Sequence, residues 1–402
     1  MKRFLCIPAI LLPLLCSAQS RTLRTDYIFY GNSASAGIAL DELRSLDGWA
    51  GRTVRMKETP LRGNGRVTMS DAASGDTLYC TSFSTLFQEW RNTEEATRFT
   101  RSFENVFLLP MPEAPVEITV ELYDAHGRTC ATLTHPADPS DILIRPASRT
   151  PRTEDLLISG SPSECIDVAI VAEGYTEAEM NIFLKDARAA LKSILAHEPF
   201  GRLKNRFNFR AVCLPSQCSG VSVPHEGIWK DTPLHSHFDT FYSQRYLTTL
   251  RIKDLHDALS GVPYEHIIIL ANTDTYGGGG IYNSYTLTTA HHKQFKRVVV
   301  HEFGHSFAGL GDEYYYDDQY SDWYFPDYEP WEPNITTMCD FASKWQDMLG
   351  QDGVSVIEGG GYTSKGVWRA CEDCRMKTNT ACGFCPVCKR AIERMILFYT
   401  EP

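Results

Sequence analysis

The first third of the chain is dominated by short runs in which apolar and polar residues alternate, the pattern typical of half-buried β-strands. Turn-forming residues separate the runs, as in the GNG at residues 63–65 and the SGD at residues 74–76. Residues 115–136 read as strand, turn and strand. We therefore predict an antiparallel β-sandwich domain over residues 19–146.

The pattern changes after a polar segment rich in proline and serine, which we interpret as a linker at residues 147–164. Residues 165–175 form an apolar run typical of a buried strand. Thr176 and Glu179 then have the spacing of a capping box at the start of an amphipathic helix. A strand, a helix and another strand follow at residues 206–216, 247–261 and 264–274. This alternation predicts a second domain of the α/β (α+β) class over residues 165–402, with a partly parallel sheet.

The N-terminus has the pattern of a signal peptide. Lys2 and Arg3 precede an apolar segment at residues 4–15 that is too short to span a bilayer, and small residues lead to Ala18. We predict that residues 1–18 are removed by cleavage after Ala18. No later apolar run is long enough for a transmembrane helix, so the sequence predicts a secreted, periplasmic or cell-surface protein.

Composition narrows the class of partner. The 402 residues are 43% hydrophobic and 22% charged, which is ordinary for a soluble globular protein, and the length favours two domains. The formal net charge of −11 argues against binding to nucleic acid. The sequence assigns neither a Ca²⁺ site nor an oligomeric state.

A candidate metal site lies in residues 298–316, which read VVVHEFGHSFAGLGDEYYY. Two histidines four residues apart, His301 and His305, lie on one face of a helix and can bind the same ion. Glu302 is placed beside them to accept a proton from a water that the metal polarises. The surrounding residues are apolar, and burying two imidazoles and a carboxylate among them is costly unless a metal satisfies them. The motif predicts one catalytic Zn²⁺.

A catalytic zinc site needs a third protein ligand, and the sequence offers several. Gly309 is a natural helix end, and Asp312 follows it by three residues, at the position where metzincin peptidases carry their third ligand. The gap from His305 to the glycine is one residue longer than the usual metzincin spacing, so Glu313 is a second candidate. A distant histidine, His235 or His237, is the third. Asp312 requires the fewest assumptions.

These residues resemble the signature of a known family. HEFGHSFAGLGDEY at residues 301–314 is similar to the motif of the bacterial IgA-peptidase family of secreted zinc metallopeptidases, which are metzincin-like. The resemblance extends over most of the chain, including residues 214–242, 245–259, 264–283 and 384–392. It implies a two-domain endopeptidase with His301 and His305 as zinc ligands and Glu302 as general base. It also places Met376 in a Met-turn that supports the metal site without binding the ion.

A glycine-rich segment is a candidate for contact with a peptide substrate. Residues 275–286 contain four consecutive glycines, and an edge strand there could pair with an extended peptide. We therefore predict that the substrate-binding residues are Gly279, Gly280, Ile281 and Tyr282. A plain flexible loop is the alternative.

A tyrosine hydroxyl could stabilise the oxyanion that forms opposite the zinc ion. Tyr362 is the predicted residue, and Tyr314 is an alternative. The chain contains 19 tyrosines, so the sequence offers many other positions for the same role.

Five cysteines cluster near the C-terminus, at positions 371, 374, 382, 385 and 388. Paired C-x2-C motifs have the ligand spacing of a structural zinc site. Export and the short separation between the pairs favour disulfides or free thiols instead. The sequence does not assign their connectivity.

Two functions of different classes are compatible with these features. The first is a secreted zinc-dependent metalloendopeptidase that hydrolyses host or environmental proteins, with immunoglobulin A as one candidate substrate. A shared fold and site do not fix the substrate. The second is an exported adhesin, or a module that binds proteins or glycans, with a structural metal site closed by four ligands.

Overall fold

A computed structural model describes residues 21–316, 320 and 323–402. The predicted signal peptide lies outside the described residues. The described part is a mixed α/β structure with several sheets and few helices.

The N-terminal part is built from two four-stranded sheets. Their strands are β1 (Thr22–Gly31), β2 (Ala36–Leu46), β3 (Gly65–Asp71), β4 (Thr77–Phe83), β5 (Arg101–Pro110), β6 (Val116–Tyr123), β7 (Thr129–Ala137) and β8 (Arg145–Pro146), with the short helix α1 (Leu86–Trp90) between β4 and β5. One sheet has the order β5-β1-β2-β8 and the other β4-β3-β6-β7. The predicted hairpin at residues 115–136 is the antiparallel pair β6 and β7.

The two sheets pack face to face through aromatic side chains. The ring centroids of Phe83 on β4 and Phe107 on β5 are 4.4 Å apart, and Phe29 on β1 contacts both rings. All three side chains are buried. The apolar residues that alternate with polar ones along these strands therefore face inward and form the core of a sandwich, as the periodicity predicted.

The C-terminal part combines strands and helices. Its strands are β9 (Arg152–Leu157), β10 (Ile166–Glu173), β11 (Phe207–Cys213), β12 (His266–Ala271), β13 (Gly278–Ile281), β14 (Tyr285–Thr289), β15 (Ile335–Thr336), β16 (Ile357–Gly360) and β17 (Thr363–Arg369). Its helices are α2 (Met180–Leu195), α3 (Ile252–Ala258), α4 (Phe295–Ala308) and α5 (Pro386–Thr400). The predicted capping box at Thr176 and Glu179 is present just before α2.

A six-stranded sheet forms the centre of this part, in the order β13-β14-β12-β10-β11-β9. Strands β11, β10, β12 and β14 are parallel, and the edge strands β13 and β9 are antiparallel to their neighbours. The partly parallel sheet confirms the expectation from the sequence. A piece of the predicted linker, Arg152–Leu157, is instead edge strand β9, since its polar composition suits an edge and its two leucines pack on the core.

The two parts are in direct contact. Arg24 on β1 donates to Asp257 on α3 at 2.5 Å, and the backbone N–H of Ser84 donates to the carbonyl of Tyr282 at 3.0 Å. Along the described ranges, no helix has the length and apolar character needed to cross a membrane.

Candidate metal centre

Helix α4 carries the first three candidate residues and is packed into the core. Val299, Val300 and Phe303 on this helix are fully buried, whereas the imidazoles of His301 and His305 are each 15% exposed on one face. The helix ends at Ala308, and Gly309 takes the left-handed conformation, with φ 60°. This glycine cap is the predicted helix end, and it turns the chain back towards the histidines.

Three atoms that can each donate a lone pair to a metal lie close together once the chain has turned at Gly309. Nε2 of His301 and Nε2 of His305 are 3.0 Å apart. Oδ1 of Asp312 lies 3.0 Å from the first nitrogen and 3.2 Å from the second. The three atoms form a nearly equilateral triangle at the exposed edge of α4.

The opposite nitrogen of each imidazole is held by the backbone. Nδ1 of His301 donates to the carbonyl of Arg375 at 2.9 Å, and Nδ1 of His305 donates to the carbonyl of Leu310. A neutral imidazole protonated at Nδ1 has its lone pair on Nε2, which is the form that binds a metal. Both rings are therefore oriented with their lone pairs towards Asp312.

The triangle fits a small divalent cation. Ligand atoms of a tetrahedral zinc ion lie roughly 3.3 Å apart, close to the observed spacing. Against the effect of burial, the histidines hold the pKa of Asp312 well below its usual range, and Asp312 raises the pKa of His305 to about 9. A proton can bridge two of the three atoms at a time, and Asp312 Oδ1 makes no well-aligned hydrogen bond. One cation at the centre would satisfy all three.

Glu302 lies next to the ligand atoms on the same helix and forms a compact group with the two histidines. Burial raises the pKa of this carboxyl, and its interactions with the two histidines oppose the rise. The backbone of β13 passes close to it: a Cβ at Gly278 would be 2.8 Å from Glu302 Oε1. Glu302 on α4 therefore faces the glycine strand β13. It lies beside the space towards which the two histidine nitrogens and the Asp312 oxygen point.

Tyr362 lies beside Asp312. Its hydroxyl donates to Asp312 Oδ2 at 2.5 Å, and its backbone has a φ of 71°, which a non-glycine residue rarely adopts. The ring of Tyr314 is 5.4 Å from that of Tyr362 and stacks at 6.3 Å on His301. In this structure the Tyr362 hydroxyl bonds to Asp312, so its role in binding an oxyanion stays a prediction.

The other candidates for the third ligand lie elsewhere. Glu313 directs its carboxylate away from the histidines, towards Asn334 and Cys388. His235 is exposed, and Nδ1 of His237 contacts the carbonyl of Phe238. The structure brings Asp312 to the two histidines and does not bring these three residues there.

The glycine run packs against α4. A Cβ at Gly280 would be 2.3 Å from the carbonyl oxygen of Glu302, so only glycine allows this approach of strand and helix. On the other face, a Cβ at Gly279 would meet the ring of Tyr246 at 2.8 Å. Backbone groups of Gly278 also bond to residues 245 and 247, which cover part of the predicted substrate edge. The sequence did not reveal this packing role.

Two of the predicted substrate-binding residues are interior. Ile281 and Tyr282 are 2% and 4% exposed. The ring of Tyr282 packs on Trp331 at 5.3 Å, and its hydroxyl is 3.3 Å from Ser82 of the N-terminal part. These side chains join the two parts of the chain and do not face a substrate in this structure. Contact of Gly279 and Gly280 with a substrate stays a prediction.

Met376 lies in a turn beneath α4 and is fully buried. A Cβ at Gly304, between the two histidines, would be 2.9 Å from its sulfur. The carbonyl of Met376 accepts from the N–H of Glu313 at 2.9 Å. The methionine therefore supports the helix from below, and the turn that carries it also holds the chain next to Asp312.

The N-terminal part reaches the same region, which the sequence did not indicate. Glu89 on α1 accepts a hydrogen bond from the hydroxyl of Tyr246 at 2.5 Å. Burial raises the pKa of Glu89 to about 7, and the charges of His305 and Asp312 act on it in opposite directions. No sequence signal marks Glu89, because only the packing of the two parts brings it near α4.

Two family profiles match the chain. The profile of the family described as IgA Peptidase M64 matches residues 155–356, half of the chain, including α4 and Asp312. The chain belongs to this family. A second profile, described as the Peptidase M64 N-terminus, matches residues 17–134. Membership identifies this M64 chain as a peptidase and implies a metal and protein substrates. None of the curated proteins matches the chain.

Proposed function

We propose that this M64 chain is an exported, zinc-dependent endopeptidase of the metzincin-like type. The observation that carries the proposal is the triangle of His301 Nε2, His305 Nε2 and Asp312 Oδ1, with Glu302 beside it. Two nitrogens and one carboxylate oxygen are the donor set of many catalytic zinc sites, which keep one position open. The predicted signal peptide supports export, and residues 19–146 and 165–402 would be its two domains.

The side chains divide the work of peptide hydrolysis. A zinc ion supplies Lewis-acid chemistry when bound, polarising water and the scissile carbonyl. Glu302 accepts the proton of the attacking water and delivers it to the leaving amine nitrogen, because its carboxylate lies beside the ligand atoms. Asp312 and the two histidines would hold the ion. Tyr362 fixes Asp312 through its hydroxyl.

Protein substrates follow from the family, and the particular target is part of the proposal. Immunoglobulin A is one candidate, taken from the description of the matched family. The proposed chemistry acts on the peptide bond and does not by itself select one protein. We therefore test the activity on a broad panel before a single target.

The test compares the purified full chain with two variants on casein, immunoglobulin A and a mixed peptide library. Glu302→Gln should reduce cleavage by about 100- to 10,000-fold while the zinc content stays unchanged, because only proton transfer is removed. Asp312→Asn should lose both zinc and cleavage. Zinc and activity are measured on the same samples.

Restoration by metal provides the control. A chelator should stop cleavage by the wild-type chain, and added zinc should restore it. Cleavage by Glu302→Gln at the wild-type rate would overturn the proposal. So would activity that persists in a wild-type sample shown to contain no metal.

A further inference from the structure

A second group of possible metal ligands lies behind the first site. Among the described residues, Glu313, Cys374, Cys385 and Cys388 are buried, and their ligand atoms all lie within 4.8 Å of one another. The sulfurs of Cys374 and Cys388 are 3.7 Å apart, and Cys388 Sγ is 3.1 Å from Glu313 Oε1. We call these four residues the thiol cluster.

The sulfur spacing is that of metal ligands. A disulfide holds its sulfurs about 2.05 Å apart, and all the cysteines of the described residues are free thiols. Two thiolates on one tetrahedral zinc ion lie roughly 3.8 Å apart, which follows from a zinc–sulfur distance of about 2.3 Å. The observed 3.7 Å matches the second case. Of the two alternatives that the sequence favoured over a metal site, disulfides and free thiols, the described residues contain free thiols.

Backbone donors point at the sulfurs. The N–H of Cys385 donates to Cys374 Sγ at 3.2 Å, and the N–H of Cys388 lies 3.5 Å from Cys385 Sγ at the start of α5. Hydrogen bonds of this kind, together with the helix N-terminus, stabilise the thiolate form that binds metals. These backbone donors therefore favour the thiolate form of the cysteines in the thiol cluster.

The carboxylate gives an independent indication. Glu313 is fully buried, and its Oε1 accepts from Asn334 Nδ2 at 2.9 Å. Its Oε2 is buried without a hydrogen-bond partner. A buried acidic oxygen without a partner is costly, and a cation among the sulfurs would supply one.

We propose that the thiol cluster binds a second metal ion, with Glu313, Cys374, Cys385 and Cys388 as its four ligands. Three thiolates and a carboxylate favour zinc over harder cations such as Ca²⁺ or Mg²⁺. Four protein ligands in a buried setting make a closed, structural site. This ion would be additional to the one at α4.

The position of the second ion gives it a supporting role. Glu313 directly follows Asp312 in the chain, and Cys374 directly precedes Arg375, whose carbonyl holds His301. One ion bound by both segments would fix the backbone on two sides of the α4 site. The proposal does not depend on the peptidase chemistry, because it concerns binding alone.

Metal content and cobalt spectroscopy test the proposal on the full chain. We expect two zinc ions per wild-type chain. Exchange with Co²⁺ should give an intense sulfur-to-cobalt charge-transfer band, which nitrogen and oxygen ligands do not produce. The double variant His301→Ala/His305→Ala should keep one metal ion and the band.

Variants of the cysteines locate the ion. Cys388→Ser should lose the charge-transfer band and one zinc ion, whereas Cys382→Ser, an exposed cysteine of the same segment, should keep both. If Cys388→Ser does not fold, the wild-type count and spectrum still decide. One zinc ion per wild-type chain without a cobalt–sulfur band would overturn the proposal, as would a disulfide between cluster cysteines in a non-reducing peptide map. A wild-type chain that binds two zinc ions but cleaves no peptide would refute the proposed function alone.

Discussion

Asp312 and Glu313 are neighbours whose carboxylates face different partners. Asp312 faces the histidines of α4, and Glu313 faces the cysteines near α5. The sequence predicted the pair and left its order open, because a one-residue uncertainty in the turn after Gly309 exchanges the two sides. The backbone path decides between them.

Tyr362 offers a test at the same scale. Tyr362→Phe removes the hydrogen bond to Asp312 Oδ2. We expect the affinity of the α4 site for zinc to fall by about 10- to 100-fold, the usual effect of losing a partner of a metal ligand. The measurement is competition with a zinc-binding dye.

Kinetics at saturating zinc separate the two roles of Tyr362. A positioning residue should leave kcat within a few-fold of the wild-type value once zinc is bound. A large fall in kcat with unchanged zinc affinity would instead favour the oxyanion role predicted from the sequence.

At the scale of elements, the glycine strand β13 limits how α4 can be placed. In Gly280→Ala, the new methyl carbon would lie 2.3 Å from the carbonyl oxygen of Glu302 and 2.9 Å from His305 Cβ. We expect the free energy of unfolding to fall by about 1–3 kcal/mol, with weaker zinc binding, because the helix must shift. Denaturant unfolding measures the first effect. Gly383→Ala is the control, since its nearest neighbour would be 3.8 Å away. Equal stabilities of the two variants would contradict this explanation.

Strand β12 contains a buried histidine that should make the fold sensitive to acid. His266 packs on Phe307 and Tyr399, its Nε2 has no hydrogen-bond partner, and burial lowers its pKa to about 3. In the unfolded chain, His266 has an ordinary histidine pKa of about 6.5, so it binds a proton at a higher pH than in the folded chain. Stability is therefore lost as the pH falls from 6.5 towards 3. The loss is at most about 1.4 kcal/mol per pH unit.

His266→Phe should remove this sensitivity while preserving the packing. Between pH 7 and pH 5, the variant should lose up to about 2 kcal/mol less stability than the wild-type chain, as measured by denaturant unfolding. His235→Asn changes an exposed histidine at positive φ, which asparagine tolerates, and should behave as wild type. Identical pH profiles for His266→Phe and wild type would show that His266 does not carry the effect.

For the whole molecule, a buried ion pair within β1 also contacts the C-terminal part through Arg24. Arg24 is fully buried, binds Asp26 through two hydrogen bonds of 2.7 Å, and also reaches Asp257 on α3. Arg24→Met leaves the fully buried Asp26 without its partner. We expect the free energy of unfolding to fall by about 3–5 kcal/mol.

A double variant identifies the cause. Arg24→Met/Asp26→Leu should recover much of the loss, because no unpaired buried charge remains. Arg66→Met breaks an exposed pair with Glu121 and should cost less than about 1 kcal/mol. A double variant as unstable as Arg24→Met would mean that the contact with Asp257 dominates.

The sequence predicted the sandwich, the partly parallel sheet and the residues of α4, because each depends on local periodicity or on spacing within one helix. Apart from Met376, which the family resemblance placed below the metal site, it did not predict contacts between distant segments. The approach of Glu313 to Cys388, the cover of β13 by residues 245–247 and the position of Glu89 depend on how elements pack. No local pattern encodes such contacts.

The bond between Glu89 and Tyr246 bears on how freely the two parts could be recombined. Each part matches a separate family profile, which invites the view that they are interchangeable modules. A chimera with an N-terminal part from another relative would need an acceptor at the same place for the Tyr246 hydroxyl. Without that acceptor, the partly buried Tyr246 hydroxyl would be left unpaired, so the two parts are expected to fit only a partner that supplies it.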